Sequence, residues 1–288
     1  MNAKTKLLVA VLLFGTVGIF VNYIPLPSSV IAMARGLCGA AFLLAAALFC
    51  GKRPDVAAIR RRLPLLCLSG AVLGCNWMLL FEAYRYTGVA VATLCYYLAP
   101  VFVILVSPLL FGERLTAKKL CCVFVALVGM IPVSGVLDSD GGSLVGILFG
   151  VGAACLYAGV VILNKKLDGV SDTDRSLVQL AVAGLVLLPY AAVTGDLGSV
   201  SLTPVPALLL LVLGIVHTGL AYKLYFASVK ELPAQTVAIF SYIDPITAIL
   251  LSALILKEPL GAGSLVGAAL ILGATLASEL TFKKSKSV

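Results

Sequence analysis

Residues 97–117 read YLAPVFVILVSPLLFGERLTA, and residues 242–262 read YIDPITAILLSALILKEPLGA. Laid together without a gap at an offset of 145, nine of the 21 positions are identical. The same offset brings Gly74 onto Gly219, Phe81 onto Phe226, Pro100 onto Pro245 and Glu113 onto Glu258. The chain therefore carries an internal duplication, and it is an apolar one. Duplicated hydrophobic chains are a common construction of membrane carriers, whose sites lie at the repeat interface near the bilayer midplane.

Composition names the solvent. Of 288 residues, 61% are hydrophobic and 12% charged, with a mean hydropathy of +1.12, against roughly 25% charged residues in a soluble domain. Long continuous apolar runs replace the short alternating segments of a β-barrel. The fold class is thus an all-α integral membrane protein. The net charge of +8 comes from short clusters between apolar runs, such as Arg60-Arg61-Arg62, Lys118-Lys119, Lys165-Lys166 and Lys283-Lys284. Placement of this kind holds loops in the cytoplasm and argues against a nucleic-acid partner. The eight cysteines lie mostly inside apolar runs without metal or redox spacing, and are read as small packing residues. The Lys4 and Lys6 start with its apolar stretch reads as a retained first helix, because no convincing small-residue cleavage site follows.

With about 20 apolar residues needed per crossing, ten spans are expected: 7–23, 29–50, 64–84, 87–111, 118–137, 143–164, 176–194, 205–228, 233–256 and 262–281. With both termini cytoplasmic, the cytoplasmic segments hold 17 of the 21 Lys and Arg, as the positive-inside rule requires. Five spans per half is an odd number, so the halves, 1–137 and 138–288, enter the membrane from opposite sides. The expected architecture is ten transmembrane helices as two five-helix inverted repeats.

The paired segments from Tyr97-Leu98-Ala99-Pro100 to Gly112-Glu113-Arg114-Leu115, and from Tyr242-Ile243-Asp244-Pro245 to Lys257-Glu258-Pro259-Leu260, resemble the EamA-type transporters of the drug/metabolite transporter superfamily. So do Thr218-Gly219-Leu220-Ala221-Tyr222, the early Arg35, and the small-residue helix with Gly261, Gly267 and Gly273. Cys122, where the second copy keeps Gly267, is a departure. The resemblance covers nearly the whole chain. It implies a carrier in a prokaryotic plasma membrane, with a central cavity lined mostly by spans 3, 4, 8 and 9. The cargo implied is amino acids, other metabolites or toxic organic compounds, often moved outward.

Ionisable groups inside spans are costly and mark candidate sites. Asp244 lies about eleven residues into span 9, some 16 Å deep at 1.5 Å per residue, and Pro245 after it frees a backbone carbonyl. His217, the only histidine, is placed at similar depth in span 8 and could share a proton with Asp244. At 100° per residue, His217, Thr218, Tyr222 and Tyr225 share one arc of span 8 within about 140°, matched in span 3 by Asn76, Trp77 and Tyr84. Tyr96 and Ser241 share the Asp244 face, whereas Tyr97 and Tyr242 point away to pack between helices. Arg35 in span 2 and Lys223, placed at comparable depth in span 8, could attract a carboxylate, and Tyr157 of span 6 is a further wall candidate. Glu113 and Glu258 are read as caps or ion-pair partners at the cytoplasmic ends of spans 4 and 9.

The expected partners are a small-molecule solute, the lipid bilayer and, if transport is coupled, protons, for a monomer or a homodimer. A small polar solute with both amine and carboxylate uses Asp244, Arg35 and the aromatic faces together. Choline-like or toxic cations caged by Trp77, Tyr96 and Tyr222 are the competing cargo. One histidine, no metal-spaced carboxylates and no nucleophile motif leave little basis for an enzyme, a metal or a cofactor.

Overall fold

The computed structural model describes residues 1–111, 117–133, 143–194, 196–198, 203–229, 231–232, 240–241 and 243–279. Glu113, Asp138, Asp140, Tyr242, the Lys283-Lys284 pair and the proposed boundary at 137 lie outside them. The described residues form helices and connections, with no strand among them. They are α1 (Ala3–Asn22), α2 (Ser28–Phe49), α3 (Val56–Tyr96), α4 (Ala99–Phe111), α5 (Ala117–Val133), α6 (Leu144–Lys165) and α7 (Asp172–Val193). Then follow α8 (Pro204–Gly214), a π-helical turn (Ile215–Leu220), α9 (Ala221–Val229), α10 (Ile243–Leu251), a second π turn (Ser252–Leu256) and α11 (Ala262–Glu279). Among the described residues, six helical segments are long and apolar enough to cross a membrane, with shorter apolar helices beside them.

Local chemistry sets the helix starts. Asn2, Asp55, Ser143 and Ser171 each turn a side-chain oxygen back onto a backbone amide three residues on. These caps satisfy donors that no helical carbonyl can reach. α3 begins well before the expected span 3, so Arg60, Arg61 and Arg62 sit on a helix that projects beyond it rather than in a loop. α3 also runs through the expected break between spans 3 and 4. The break is present as one residue, Gly88, with φ 78° and ψ 170°.

Glu258 supports that break. Its Oε1 accepts from Val89 N at 2.9 Å and its Oε2 from Ala90 N at 3.2 Å. Gly88 is thus at the end of this α3 segment opposite the Arg60 cluster, and Glu258 is there with it. The expectation that Glu258 lies at the same end as the basic clusters is corrected: it caps the backbone beside Gly88, at the end of that helix away from Arg60.

Other contacts sort the connections into two ends. At one end Lys6 pairs with Glu231 at 3.2 Å, and Asp55 N donates to Asp174 Oδ2 at 3.4 Å. At the other, Arg85 donates to the Leu26 carbonyl and Ser29 to Asp196. The most extensive helix pairs are α3 with α6, α2 with α7, and α5 with α11. Gly36 and Gly184 let α2 and α7 cross closely, since a Cβ on Gly36 would meet Gly184 N and Leu180 O at 2.8 Å. One buried apolar cluster centres on Phe81, Ile31, Leu180 and Leu213; a second joins Leu94 and Leu98 to α5, α10 and α11.

Candidate functional site

α1, α2, both segments of α3, α6, α9 and α10 converge on a cavity of about 250 Å³, roughly twenty times the volume that one water needs. Of the residues singled out from the sequence, Arg35, Trp77, Tyr96, Tyr157, Tyr222, Ser241 and Asp244 line it, as do Tyr84 and Tyr225. Most of the wall is aromatic or aliphatic, with one acid and one base. A wall of this kind holds an organic solute by its apolar body and orients it through a few polar groups.

Arg35 is 5% exposed. Its Nε donates to Thr218 Oγ1 at 2.7 Å, and its guanidinium carbon sits 4.3 Å from the Trp77 ring centroid and 5.8 Å from that of Phe81. Stacking fixes the plane of the fork and the hydroxyl fixes its rotation. Among the described residues no carboxylate pairs with Arg35, and its two terminal amino groups find no acceptor. A buried guanidinium with its fork unoccupied is suited to bidentate capture of a carboxylate. Thr218 is held in turn, donating to the Leu213 carbonyl at 2.9 Å, five residues back, where the π turn frees that acceptor.

Asp244 faces the same cavity from the first turn of α10. Tyr97 donates its hydroxyl to Asp244 Oδ2 at 2.9 Å and also lies 3.2 Å from the Ser241 carbonyl. The expectation that Tyr97 packs away between helices is therefore corrected. Tyr97 and Leu98 form a turn between α3 and α4, so helical periodicity does not aim the ring. Tyr96 reaches Asn76 Oδ1 at 3.4 Å and packs against Tyr157 with centroids 5.3 Å apart.

Three expected site residues lie elsewhere. His217 is 2% exposed, and its Nε2 is 2.8 Å from Thr16 Oγ1, its Nδ1 3.3 Å from the Val212 carbonyl. The Phe20 ring, at 4.4 Å between centroids, covers it. It neither lines the cavity nor bonds Asp244, so the His–Asp pair is not formed. Asn76 stands one layer behind the wall, donating to the Ala153 carbonyl at 2.6 Å. Lys223 lines a different cavity, together with Lys52 and Arg53, and not the one that Arg35 lines. Phe14 and Thr93 are wall residues not singled out from the sequence, although Thr93 is polar; Phe14 meets Tyr222 and Tyr225 edge-on at 5.5 and 5.9 Å.

Known proteins agree with this architecture. A profile of the EamA-like transporter family matches the chain twice, over residues 5–135 and 144–278. An uncharacterised transporter of Bacillus subtilis strain 168, YxxF, is 28% identical over 87% of this chain and 80% of its own. The protein PecM of Dickeya dadantii strain 3937 is 29% identical over 69% and 67% of the two chains. The protein RarD of Salmonella typhimurium is 28% identical over 73% and 70%. A crystal structure at 22% identity shares the fold over 96% of both chains, with a TM-score of 0.67.

Proposed function

Because the chain belongs to the EamA-like transporter family, we propose that it is a secondary carrier for a small polar solute bearing both an amine and a carboxylate, an amino acid or near relative. It works by alternating access in a prokaryotic plasma membrane, with ten spans in two inverted halves and both termini cytoplasmic.

The helix packing supports the inverted halves. Counting α3 as span 3, α4 as span 4, α8 to α9 as span 8, and α10 and α11 as spans 9 and 10, the most extensive pairs map onto pairs that also pack. Exchanging each span with the one five places on returns α2 with α7 and α5 with α11 to themselves. It also turns α3 with α6 into α1 with α9, and α4 with α6 into α1 with α10, all of which pack. Two equivalent halves related by a pseudo-twofold axis give this pattern, and an odd number of spans per half puts that axis in the membrane plane.

The observation that carries the cargo assignment is a lone carboxyl and an unpaired guanidinium facing one small cavity. Arg35 takes the carboxylate through its free fork, Asp244 takes the ammonium, and the tyrosines hold the side chain. When the solute leaves, Asp244 is free to hold a proton, which gives a route to coupling. Choline-like cations are the weaker reading, because Arg35 already lies over the Trp77 face such a cargo would use.

Uptake and counterflow of radiolabelled amino acids into proteoliposomes test this. Saturable counterflow is expected, lost in Asp244→Asn and in Arg35→Gln. An imposed pH gradient should accelerate the wild type. Amino-acid flux unchanged in Asp244→Asn would overturn the role of that carboxyl. Trp77 is the only tryptophan in the chain, so quenching of its fluorescence by amino acids but not by choline separates the two cargo readings.

A further inference from the structure

A second cavity, of about 810 Å³, lies near the end of α2, the start of α7 and the end of α9. Its end of the molecule is the one where Lys6 pairs with Glu231 and Asp55 meets Asp174. Three acids line it, and each is engaged. Glu231 pairs with Lys6, Asp172 lies 4.0 Å from Arg175, and Asp174 accepts from the Ser171 hydroxyl at 2.8 Å and from Asp55 N. Its three cations, Lys52, Arg53 and Lys223, are exposed and have no acidic partner among the described residues. They come from two elements far apart in sequence, the segment after α2 and the helix α9. Two of the acids are thus balanced by cations and Asp174 only by neutral donors, so three unpaired cations face one carboxylate and the wall's field is net positive, which a concave low-dielectric wall concentrates.

One side chain belongs to both cavities. Tyr222 lines the central cavity together with Arg35, and it lines the second together with Lys223 and Cys50. Phe14 packs edge-on against its ring from α1. We propose that the second cavity is an anion-selecting antechamber on the Lys6 side of the pathway, and that the Tyr222 ring is the partition between it and Arg35. A solute enters carboxylate first, drawn by Lys52, Arg53 and Lys223, and passes that group to the Arg35 fork when the ring moves aside. This rests on the carrier reading above and adds to it the polarity with which cargo is presented on this face.

Cys50 is a free, exposed thiol on the antechamber wall, so the native protein carries its own reporter. The rate of its modification is read by peptide mass spectrometry with two methanethiosulfonates, an anionic ethylsulfonate and a cationic ethyltrimethylammonium. Each rate is divided by that reagent's rate with a small free thiol. The sulfonate is expected to react at least fivefold faster on this scale. The preference should fall to within twofold of unity in Lys52→Gln/Arg53→Gln/Lys223→Gln, and it should shrink at high salt. A preference absent from the wild type, or unchanged in the triple variant, overturns the antechamber. Protection of Cys50 in phosphatidylglycerol vesicles but not in phosphatidylcholine vesicles would assign the charge to a lipid headgroup and overturn the solute route.

For the partition, a reporter Ala248→Cys in the central cavity is labelled from the Lys6 face. Labelling should be slow, remain slow in Tyr222→Phe, which keeps the ring, and accelerate at least tenfold in Tyr222→Ala. Equal rates in all three backgrounds overturn the partition. Failure of the carrier reading is seen separately, as absence of counterflow while the Cys50 preference persists.

Discussion

The site is built from pairs in which one group aims another. Tyr97 aims Asp244, and Thr218 with Trp77 aims Arg35. Tyr97→Phe removes a hydrogen bond to an acid, a contribution of about 1.5–3 kcal/mol when the acceptor is charged. We expect a roughly tenfold rise in solute KM with folded yield preserved, measured as counterflow against concentration. His217→Asn should act oppositely. The ring lines no cavity, so KM should stay within about twofold while thermal stability falls through loss of the Thr16 contact and the Phe20 packing. The wall was readable in the sequence where ordinary helices carry it, at Trp77, Tyr96, Tyr157, Tyr222, Ser241 and Asp244. It was unreadable where winding changes. Counting 100° per residue from His217 ignores the π turn at Ile215–Leu220, which holds an extra residue. His217 and Tyr222 therefore share an arc on paper and face different surroundings in the fold. Tyr97 sits in a turn, where no periodicity applies.

At the scale of the element, the join between α3 segments at Gly88 is the most demanding piece of backbone. A non-glycine residue at φ 78° and ψ 170° costs about 1–3 kcal/mol, and its Cβ would meet Glu258 Oε1 at 2.7 Å. Gly88→Ala should lower the thermal midpoint in detergent. Glu258→Ala should do so too, by about 0.5–2 kcal/mol, since Val89 N and Ala90 N lose their cap. In the double variant the two losses should be less than additive, because the second removes the group that the first displaces. The sequence places a break between the spans ending at 84 and starting at 87, next to Gly88. Its partner, 170 residues away, could not be read, because a cap between repeats depends on how the halves nest.

At the scale of the whole molecule, composition made the apolar, all-helical fold legible and the paired segments made the family legible, because mean hydropathy and motif alignment do not depend on how helices pack. Which helices cross between halves was not legible, since small residues abound in every span. The crossing of α2 and α7 at Gly36 and Gly184 is a test of that level. Gly36→Leu and Gly184→Leu should each abolish a monodisperse folded species in size-exclusion chromatography, whereas Gly261→Leu, with nothing within 4 Å of an added Cβ, should not. The wide turn at Ile215–Leu220 also bears on how this chain tolerates shortening. Dropping one residue from an ordinary membrane helix rotates everything beyond it by about 100° and misaligns both flanks. Here a spare residue is already stored as slack. A variant lacking Val216 can rewind to regular pitch with α8 and α9 still in register, whereas one lacking Leu209 cannot. The first deletion should therefore insert and fold, and the second should be degraded.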